Sequence, residues 1–162
     1  MLIVGIDPGL NTTGYGVIEQ QNNQIKLIDA GYIKTSSDNT IEKRLSQIFS
    51  NLNDLIKKYS PDAVVLEKLY AHYKHPLTAC LLGHARGVIC LACAQNNIEL
   101  FEYSATRIKK SILGSGSGSK LQVQQMVLNI LGLKNNNNIS LDVTDAISMA
   151  IAHSYINKRK LI

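Results

Sequence analysis

The stretch that decides the fold is residues 2–16, which reads Leu-Ile-Val-Gly-Ile-Asp-Pro-Gly-Leu-Asn-Thr-Thr-Gly-Tyr-Gly. Its apolar residues predict a buried strand that ends in one carboxylate, Asp7, and Pro8-Gly9 predicts a sharp turn into a second strand that begins near Gly14. Asp before Pro-Gly often does no more than cap a turn. Because an unpaired charge at the end of a buried strand is costly, however, Asp7 is also a candidate site residue.

Length and composition bound the class of protein. With 162 residues, 45% of them hydrophobic, the chain can bury one sizeable core and is too short for two ordinary domains, so we expect a single domain over residues 1–162. The formal net charge of +5 suits a polyanionic partner. The most apolar stretch, residues 79–94, is interrupted by His84 and Arg86, and the first residues carry neither a basic segment nor a cleavage site. We therefore expect a cytoplasmic protein without a membrane partner.

The hydrophobic pattern predicts an order of strands and helices. Residues 14–19 and 24–35 have strand-like composition and flank a polar turn at residues 20–23, which makes three antiparallel strands in succession. The remaining predicted elements are a helix over 41–59, a buried strand over 62–67, a long helix from Pro76 to about Asn96, a strand over 98–103, a short helix capped by Ser104, a helix over 121–131 and a last helix over 140–158. This order predicts an α/β fold in which a mixed sheet carries helices on both faces.

Local patterns add more specific structural predictions. The Asn39-x-x-Glu42 sequence at the start of the first helix resembles a capping box. In the long helix, Ala79, Gly83 and Gly87 fall four residues apart, and this stripe either packs tightly on the domain's own sheet or forms a dimerisation surface. The same helix contains all three cysteines of the chain, Cys80, Cys90 and Cys93. We interpret them as small core residues in a reducing compartment rather than as a redox or zinc site.

A glycine-serine stretch, Gly-Ser-Gly-Ser-Gly-Ser-Lys, occupies residues 114–120. By composition alone it is typical of a flexible linker. Since too little chain follows it for a second domain, we interpret it as a loop that brings backbone amides and Lys120 close to a phosphate. The spacing is not that of a Walker loop.

Four carboxylates far apart in sequence occur where a fold could bring them together. Asp7 and Glu67 each end a buried strand, and Asp142 and Asp145 share a face of the last helix because they are three residues apart. Acids in a first turn also complement the helix dipole, which is the simpler explanation for the helical pair. If the two strands are parallel neighbours, however, all four acids meet at one edge of the sheet.

Such a cluster has a chemical consequence. Carboxylates at close quarters repel one another unless cations share the site, and hard oxygen ligands favour Mg²⁺ or Mn²⁺ over zinc. Two such ions can activate a water and stabilise the leaving oxygen in phosphodiester hydrolysis. With a basic surface to receive phosphates, the sequence therefore points to a metal-dependent nuclease.

Taken together, motifs across almost the whole chain resemble those of the RuvC family of Holliday junction resolvases. They are Asp7-Pro-Gly-x4-Gly-Tyr-Gly, the strand ending in Glu67, Gly83-x-Ala85-Arg86-Gly87, Phe101-Glu-Tyr103, Gly114-x-Gly-x3-Lys120 and Asp142-x2-Asp145-Ala146. The resemblance implies an RNase H-like fold with a mixed five-stranded sheet, three antiparallel strands and then two parallel ones. It implies a magnesium-dependent crossover junction endodeoxyribonuclease of recombination and repair, with two ions per site and Mn²⁺ as a substitute. It also implies a homodimer that nicks opposing strands of a four-way DNA junction alongside a branch-migration helicase complex.

The resemblance further assigns roles to individual residues. The acids that would bind metal and act in catalysis are Asp7, as the bridge between both ions, Glu67, Asp142 and Asp145. The positions that would contact DNA are Tyr70, Lys109, Gly114, Gly116 and Lys120, of which Lys120 would also act in catalysis. At Tyr70 the family usually has a Phe that packs on a base at the opened crossover, and tyrosine keeps that stacking face but adds a hydroxyl. The loop that follows, through His75, is one residue longer than is usual in the family.

Other interpretations remain open at this point. A related nuclease that cuts RNA in RNA–DNA hybrids would use the same acids, and a catalytically silent junction-binding protein would be expected to lack one of them. An actin-like or sugar-kinase ATPase also opens with a strand, an Asp and a glycine-rich turn, but it needs two such domains. His153 on the last helix matches a frequent family histidine, and either a structural role or a partnership with the acids would explain it.

Overall fold

A computed structural model describes residues 1–69, 76–133 and 139–158 of the chain. The strands and helices within these ranges are β1 (Leu2–Asp7), β2 (Thr12–Gln21), β3 (Gln24–Lys34), α1 (Ile41–Tyr59), β4 (Ala63–Glu67), α2 (Pro76–Gln95), β5 (Glu99–Tyr103), α3 (Ala105–Leu113), α4 (Lys120–Ile130) and α5 (Leu141–Lys158). The residues outside the described ranges include Tyr70 and His75, residues 135–138 between the last two predicted helices, and the basic residues Arg159 and Lys160.

The strands form one mixed sheet in the order β3-β2-β1-β4-β5. The first strand, β1, lies at its centre and pairs antiparallel with β2 and parallel with β4. The outer pairs are antiparallel for β2 and β3 and parallel for β4 and β5. The predicted fold of three antiparallel strands followed by two parallel ones is therefore confirmed.

Helices cover both faces of this sheet, since successive side chains along a strand point to opposite faces. Ile3, Ile18 and Val65 belong to a core that includes residues of α3, α4 and α5. The alternate strand residues Val4 and Val17 belong to a second core with residues of α1 and α2. Each face of the sheet thus has its own apolar core.

The helix α5 lies unusually close to β1 and β2 because glycines line that part of the sheet. A Cβ on Gly14 would lie 2.7 Å from the carbonyl oxygen of Asp142, and a Cβ on Gly5 would clash with the backbone of Ala146. Gly16, directly opposite Gly5 in the ladder, would clash with Ile147 in the same way. The glycines of the opening stretch therefore allow the backbone of α5 to rest on the sheet.

Two boundary predictions need correction. The strand β2 begins at Thr12 rather than near Gly14, because its ladder with β3 continues through Thr12 and Thr13 past the end of β1. The N-cap of α1 is Thr40, and its side chain makes no cap hydrogen bond to the helix backbone. Its hydroxyl instead hydrogen-bonds to the carboxylate of Glu42, so the predicted capping box from Asn39 is wrong.

The glycines and cysteines of α2 lie largely outside the core. The buried residues Ala85, Ile89 and Ala92, at helical spacing, form the side of α2 that faces the core. In the part of the chain that the structure describes, a Cβ on Gly83 or Gly87 would have no neighbour within 4 Å, so this stripe does not pack on the sheet of the same chain. The interpretation of the cysteines as core residues is wrong for Cys80 and Cys90, which are exposed, and holds for Cys93, which lies in the core.

Gly5→Ala tests the close approach of α5. We expect the free energy of unfolding to fall by about 3 kcal/mol, because the new methyl group forces α5 away from the sheet. Gly83→Ala is the matched control, since its methyl group meets open space, and it should lie within about 1 kcal/mol of wild type. Urea denaturation of dilute protein gives both values. Equal midpoints for Gly5→Ala and Gly83→Ala would contradict this account of the packing.

Candidate active site

Two acids leave the sheet at the same edge and on the same face. Asp7 is the last residue of β1 and Glu67 the last residue of β4, and these strands are parallel neighbours. Asp7 shares the side-chain parity of Ile3, and Glu67 that of Val65, which both belong to the core on the α5 side. The carboxyl ends of two adjacent parallel strands therefore present both carboxylates toward α5.

The first turn of α5 adds the second pair of acids. Asp142 is exposed, and its backbone carbonyl lies over Gly14, the residue paired with Asp7 in the β1–β2 ladder. The side chain of Asp145 is 23% exposed. We call Asp7, Glu67, Asp142 and Asp145 the acidic edge. The glycine-lined face thus brings acids from distant parts of the chain to one place.

The pKa of Asp7 is strongly raised in this arrangement. Burial first, and then the negative charges of Asp145, Asp142 and Glu67, together raise its pKa from 3.8 to about 7, while Lys120 opposes them. A carboxyl with such a pKa is half-protonated near neutral pH. A positive charge close to Asp7 would therefore stabilise its ionised form.

The pKa of Glu67 is also raised. Burial is the main cause, and the charge of Asp145 adds to it. The positive charges of Lys120, Lys109 and Arg86 lower the pKa in opposition. Glu67 therefore lies near both Asp145 and a group of three cations.

Lys120 supplies a positive charge directly to the acidic edge. The preceding loop turns within the fold: Gly114, with φ of 76°, ends α3, and the side chains of Ser119 and Gln122 form a capping box that starts α4. Lys120 is the first residue of α4, and its Nζ donates a hydrogen bond to Oδ2 of Asp145 at 2.5 Å. This contact raises the pKa of Lys120, and the charges of Asp145, Asp7 and Asp142 act in the same direction.

A pocket of about 610 Å³ opens beside these residues. Its charged lining residues are the acids Asp7, Glu67 and Asp145 and the cations Lys68, Arg86, Lys109 and Lys120. Apolar side chains from α2, α3, α4 and α5 complete the wall, among them Leu82, Ile108 and Val123. The pocket therefore joins an acidic edge to a basic rim, which suits a phosphodiester held close to metal-binding groups.

Some of the predicted site residues line this pocket and others do not. Asp145, Asp142 and Glu67 each act electrostatically on Asp7. The pocket's lining residues include Asp7, Glu67, Asp145, Lys109 and Lys120 but not Asp142. Gly114 and Gly116 are absent from the pocket's lining residues, and a Cβ on Gly116 would meet the side chain of Thr106 at 2.7 Å. Within the described parts of the chain, no three His, Cys, Asp or Glu side chains converge into a set that could enclose a metal ion.

The donor chemistry of the acidic edge nevertheless fits a hard divalent cation. Its side chains offer carboxylate oxygens alone, which are the ligands preferred by Mg²⁺ and Mn²⁺. The raised pKa of Asp7 reflects its burial first and then the negative charges of the other acids, and the ammonium group of Lys120 already pairs with the carboxylate of Asp145 as a cation would. Asp7, Glu67, Asp142 and Asp145 are therefore the residues that would hold such an ion.

Arg86 makes contacts that sequence reasoning did not predict, and the contacts of His153 decide between its two sequence-based interpretations. Arg86 donates a hydrogen bond from Nη1 to the carbonyl oxygen of Glu67 at 2.6 Å and forms an ion pair with Glu102. Buried His153 lies 2.9 Å from the hydroxyl of Tyr103 through Nδ1 and contacts the ring of Phe101, which favours a structural role between α5 and β5. Arg86 and Glu102 already stood in the quoted motifs, but their pairing depends on tertiary contact.

The chain combines an RNase H-like sheet with acids at the carboxyl ends of two adjacent strands, beside a pocket with a basic rim. This combination is typical of metal-dependent nucleases with this fold. Comparison with known families agrees, because the family model for "Crossover junction endodeoxyribonuclease RuvC" matches residues 3–153. The chain belongs to the RuvC family.

Individual relatives agree over nearly full length. The RuvC proteins of Legionella pneumophila and Alkaliphilus metalliredigens are 42% and 41% identical to this chain over 155 residues. Those matches cover 96% of this chain and 87% and 93% of the respective relatives. The structure of Thermus thermophilus RuvC in complex with a Holliday junction substrate superposes with a TM-score of 0.91 at 26% identity, covering 99% of this chain and 96% of that one.

Asp7→Asn tests the electrostatic strain. In the folded protein Asp7 ionises only near pH 7, whereas the unfolded chain ionises near 3.8, so wild-type stability falls as pH rises between these values. Asparagine cannot ionise, so without metal the variant should equal wild type near pH 4 and exceed it by up to about 4 kcal/mol near pH 8. Urea denaturation in EDTA measures this difference. Asp54→Asn, on the exposed side of α1, is the control and should show no such gain, and a pH-independent difference for Asp7→Asn would contradict the assignment.

Proposed function

We propose that this protein resolves four-way DNA junctions in recombination and repair, by symmetric metal-dependent hydrolysis of phosphodiester bonds. The observation that carries the proposal is the meeting of four carboxylates from β1, β4 and α5 beside a pocket with a basic rim. Membership in the RuvC family and the junction complex of the Thermus thermophilus protein support this substrate. The alternative of a nuclease for RNA–DNA hybrids has no comparable support, since the matching family model and the relatives compared above are junction endonucleases.

Magnesium is the proposed cofactor, with Mn²⁺ as a substitute and two ions per site. Asp7, at the centre of the acidic edge, would bridge the ions, and Glu67, Asp142 and Asp145 would complete the protein ligands. When bound, such ions lower the pKa of a water nucleophile and neutralise charge on the leaving oxygen. The excess negative charge around Asp7 gives the protein its affinity for them.

Lys120 and Lys109 would bind the phosphates of the substrate. The side chain of Lys120 is 64% exposed, and an exposed ion pair such as its contact with Asp145 contributes only about 1 kcal/mol or less. Lys120 can therefore exchange Asp145 for a phosphate oxygen at small cost. Lys109, one helix earlier, lines the same pocket, so the two ammonium groups would hold the scissile strand against the acidic edge. Tyr70 and the loop glycines Gly114 and Gly116 remain proposed DNA contacts.

A homodimer formed through α2 is proposed because a junction has two symmetric strands to cut. Among the described residues, 77–95 form a helix that is long and apolar enough to cross a membrane, and 22% of the apolar segment is buried within the chain. The core-facing side of α2 and the ion pair of Arg86 fix this helix to the sheet, while no described residue covers the stripe of Gly83 and Gly87. A second copy of α2 would cover this stripe.

A branch-migration helicase complex is the proposed further partner, and the cytoplasm is the proposed location.

Cleavage of a fixed four-way junction tests the proposed activity. In Mg²⁺ the wild-type protein should cut the junction with paired, ligatable nicks and leave a matching duplex and an RNA–DNA hybrid intact, and EDTA should abolish cutting. Asp7→Asn should lower the rate by at least about 100-fold, because a bridging carboxylate for the ions is lost. Asp54→Asn should cut at the wild-type rate.

Other results of that assay would reject the proposal in different ways. Cleavage of the hybrid instead of the junction would keep the fold and the acidic edge but exclude a resolvase. Junction binding without cleavage of any substrate would identify a silent binding protein.

Gly87→Leu tests the α2 dimer. The leucine side chain would hold the two helices apart, so the dissociation constant of the dimer should rise at least about tenfold. Light scattering across a dilution series measures it. Ser50→Leu, which adds the same side chain to the exposed side of α1, is the control and should leave the dimer unchanged. An unaltered mass for Gly87→Leu at every concentration would exclude this interface.

A further inference from the structure

The peptide group that follows Glu67 is held from two sides. Its N–H, which belongs to Lys68, donates to the carbonyl oxygen of Tyr103 at 2.7 Å and so extends the ladder between β4 and β5. Its C=O, which belongs to Glu67, accepts the hydrogen bond of Arg86 at 2.6 Å. Glu67 is the last residue of β4, so these two contacts determine where the strand ends and how its final side chain leaves the sheet.

Arg86 is itself fixed in place. It lies on α2 next to the fully buried Ala85, and its side chain is 12% exposed. Its second terminal nitrogen, Nη2, forms an ion pair with the carboxylate of Glu102 on β5. The planar guanidinium presents donors in a rigid fork, which allows one side chain to bridge an acceptor on β4 and another on β5.

A direct role for Arg86 in phosphate binding is the main alternative, since Arg86 lines the pocket. Both of its terminal nitrogens already have acceptors within the protein, and little of the side chain is exposed. Lys120, by comparison, has a side chain that is 64% exposed. The contacts of Arg86 therefore favour a role inside the protein over one at the substrate.

We infer that Arg86, held by Glu102, is a positioning residue that fixes the backbone of Glu67 and thereby aims the Glu67 carboxylate at the metal site. This inference rests on the proposed function, because it concerns a carboxylate of the acidic edge. Groups that orient a metal-binding side chain typically alter metal affinity or activity by about 10- to 100-fold when removed. Glu67 depends on such support because no strand residue follows it.

The test compares Arg86→Gln, Arg86→Lys and Glu102→Gln with wild type. The first measurement is the Mn²⁺ concentration at half-maximal thermal stabilisation, without DNA. The second is the cleavage rate of a four-way junction at saturating protein. The third is the dissociation constant for the same junction in EDTA, at two salt concentrations. Arg107→Gln is the matched control. Arg107 lies over the ring of Tyr103, so its substitution removes one positive charge near β5 and leaves the hydrogen bond between Arg86 and Glu67 in place.

For Arg86→Gln we expect the Mn²⁺ midpoint to rise and the cleavage rate to fall by about 10-fold or more, with an unchanged junction affinity. Arg86→Lys should be intermediate, since lysine keeps the charge but lacks the fork. Glu102→Gln should shift both values in the same direction by less, and Arg107→Gln should shift neither. The Glu102→Gln variant keeps the inference testable if Arg86→Gln does not fold.

Two outcomes would overturn the inference. Unchanged Mn²⁺ midpoints and cleavage rates in the Arg86 variants would remove the positioning role. A weaker junction affinity with a shallower salt dependence, at an unchanged Mn²⁺ midpoint, would make Arg86 a phosphate contact instead. If wild type bound Mn²⁺ but did not cut the junction, the proposed function would fail while the metal titration still tested Arg86.

Discussion

The close packing of α5 on the glycine-lined face of β1 and β2 is the constraint on which the rest of the structure depends. Gly5, Gly14 and Gly16 remove the side chains that would otherwise hold the helix away from the sheet. The first turn of α5 consequently lies beside the end of β1, where Asp7 leaves the sheet. Without this approach the acids of the helix and those of the strands would be separate surface charges.

Bringing these charges together has a cost in stability that the site chemistry explains. The pKa of Asp7, raised to about 7 by burial and by its acidic neighbours, shows that the metal-free fold holds this group in an unfavourable environment. Lys120 offsets part of the charge through Asp145, and Arg86 and Lys109 act on Glu67. The acidic edge thus lowers the stability of the metal-free fold, as expected of a site that, under the proposed function, would bind a divalent cation and a phosphate.

The helices, strands and caps that have strong local sequence patterns are those that the sequence predicts correctly. The order of the elements along the chain, both crossover helices and the N-cap at Ser104 follow from period, turn residues and capping chemistry, which act over a few residues. The capping box at Asn39 was wrong because one residue of offset decides which side chain caps the helix. The stripe of Gly83 and Gly87 left two interpretations open, since spacing alone does not say which side of a helix faces the sheet.

The sequence by itself determined the elements, the four carboxylates and the family they resemble, because each is recorded in neighbouring residues or in motifs at set spacing. Only the tertiary structure decided that Lys120 meets Asp145, that Arg86 bridges Glu67 and Glu102, and that burial raises the pKa of Asp7. These properties depend on distances between residues that are far apart in the chain. Such distances arise from packing, to which every side chain of the core contributes, and no local pattern contains them.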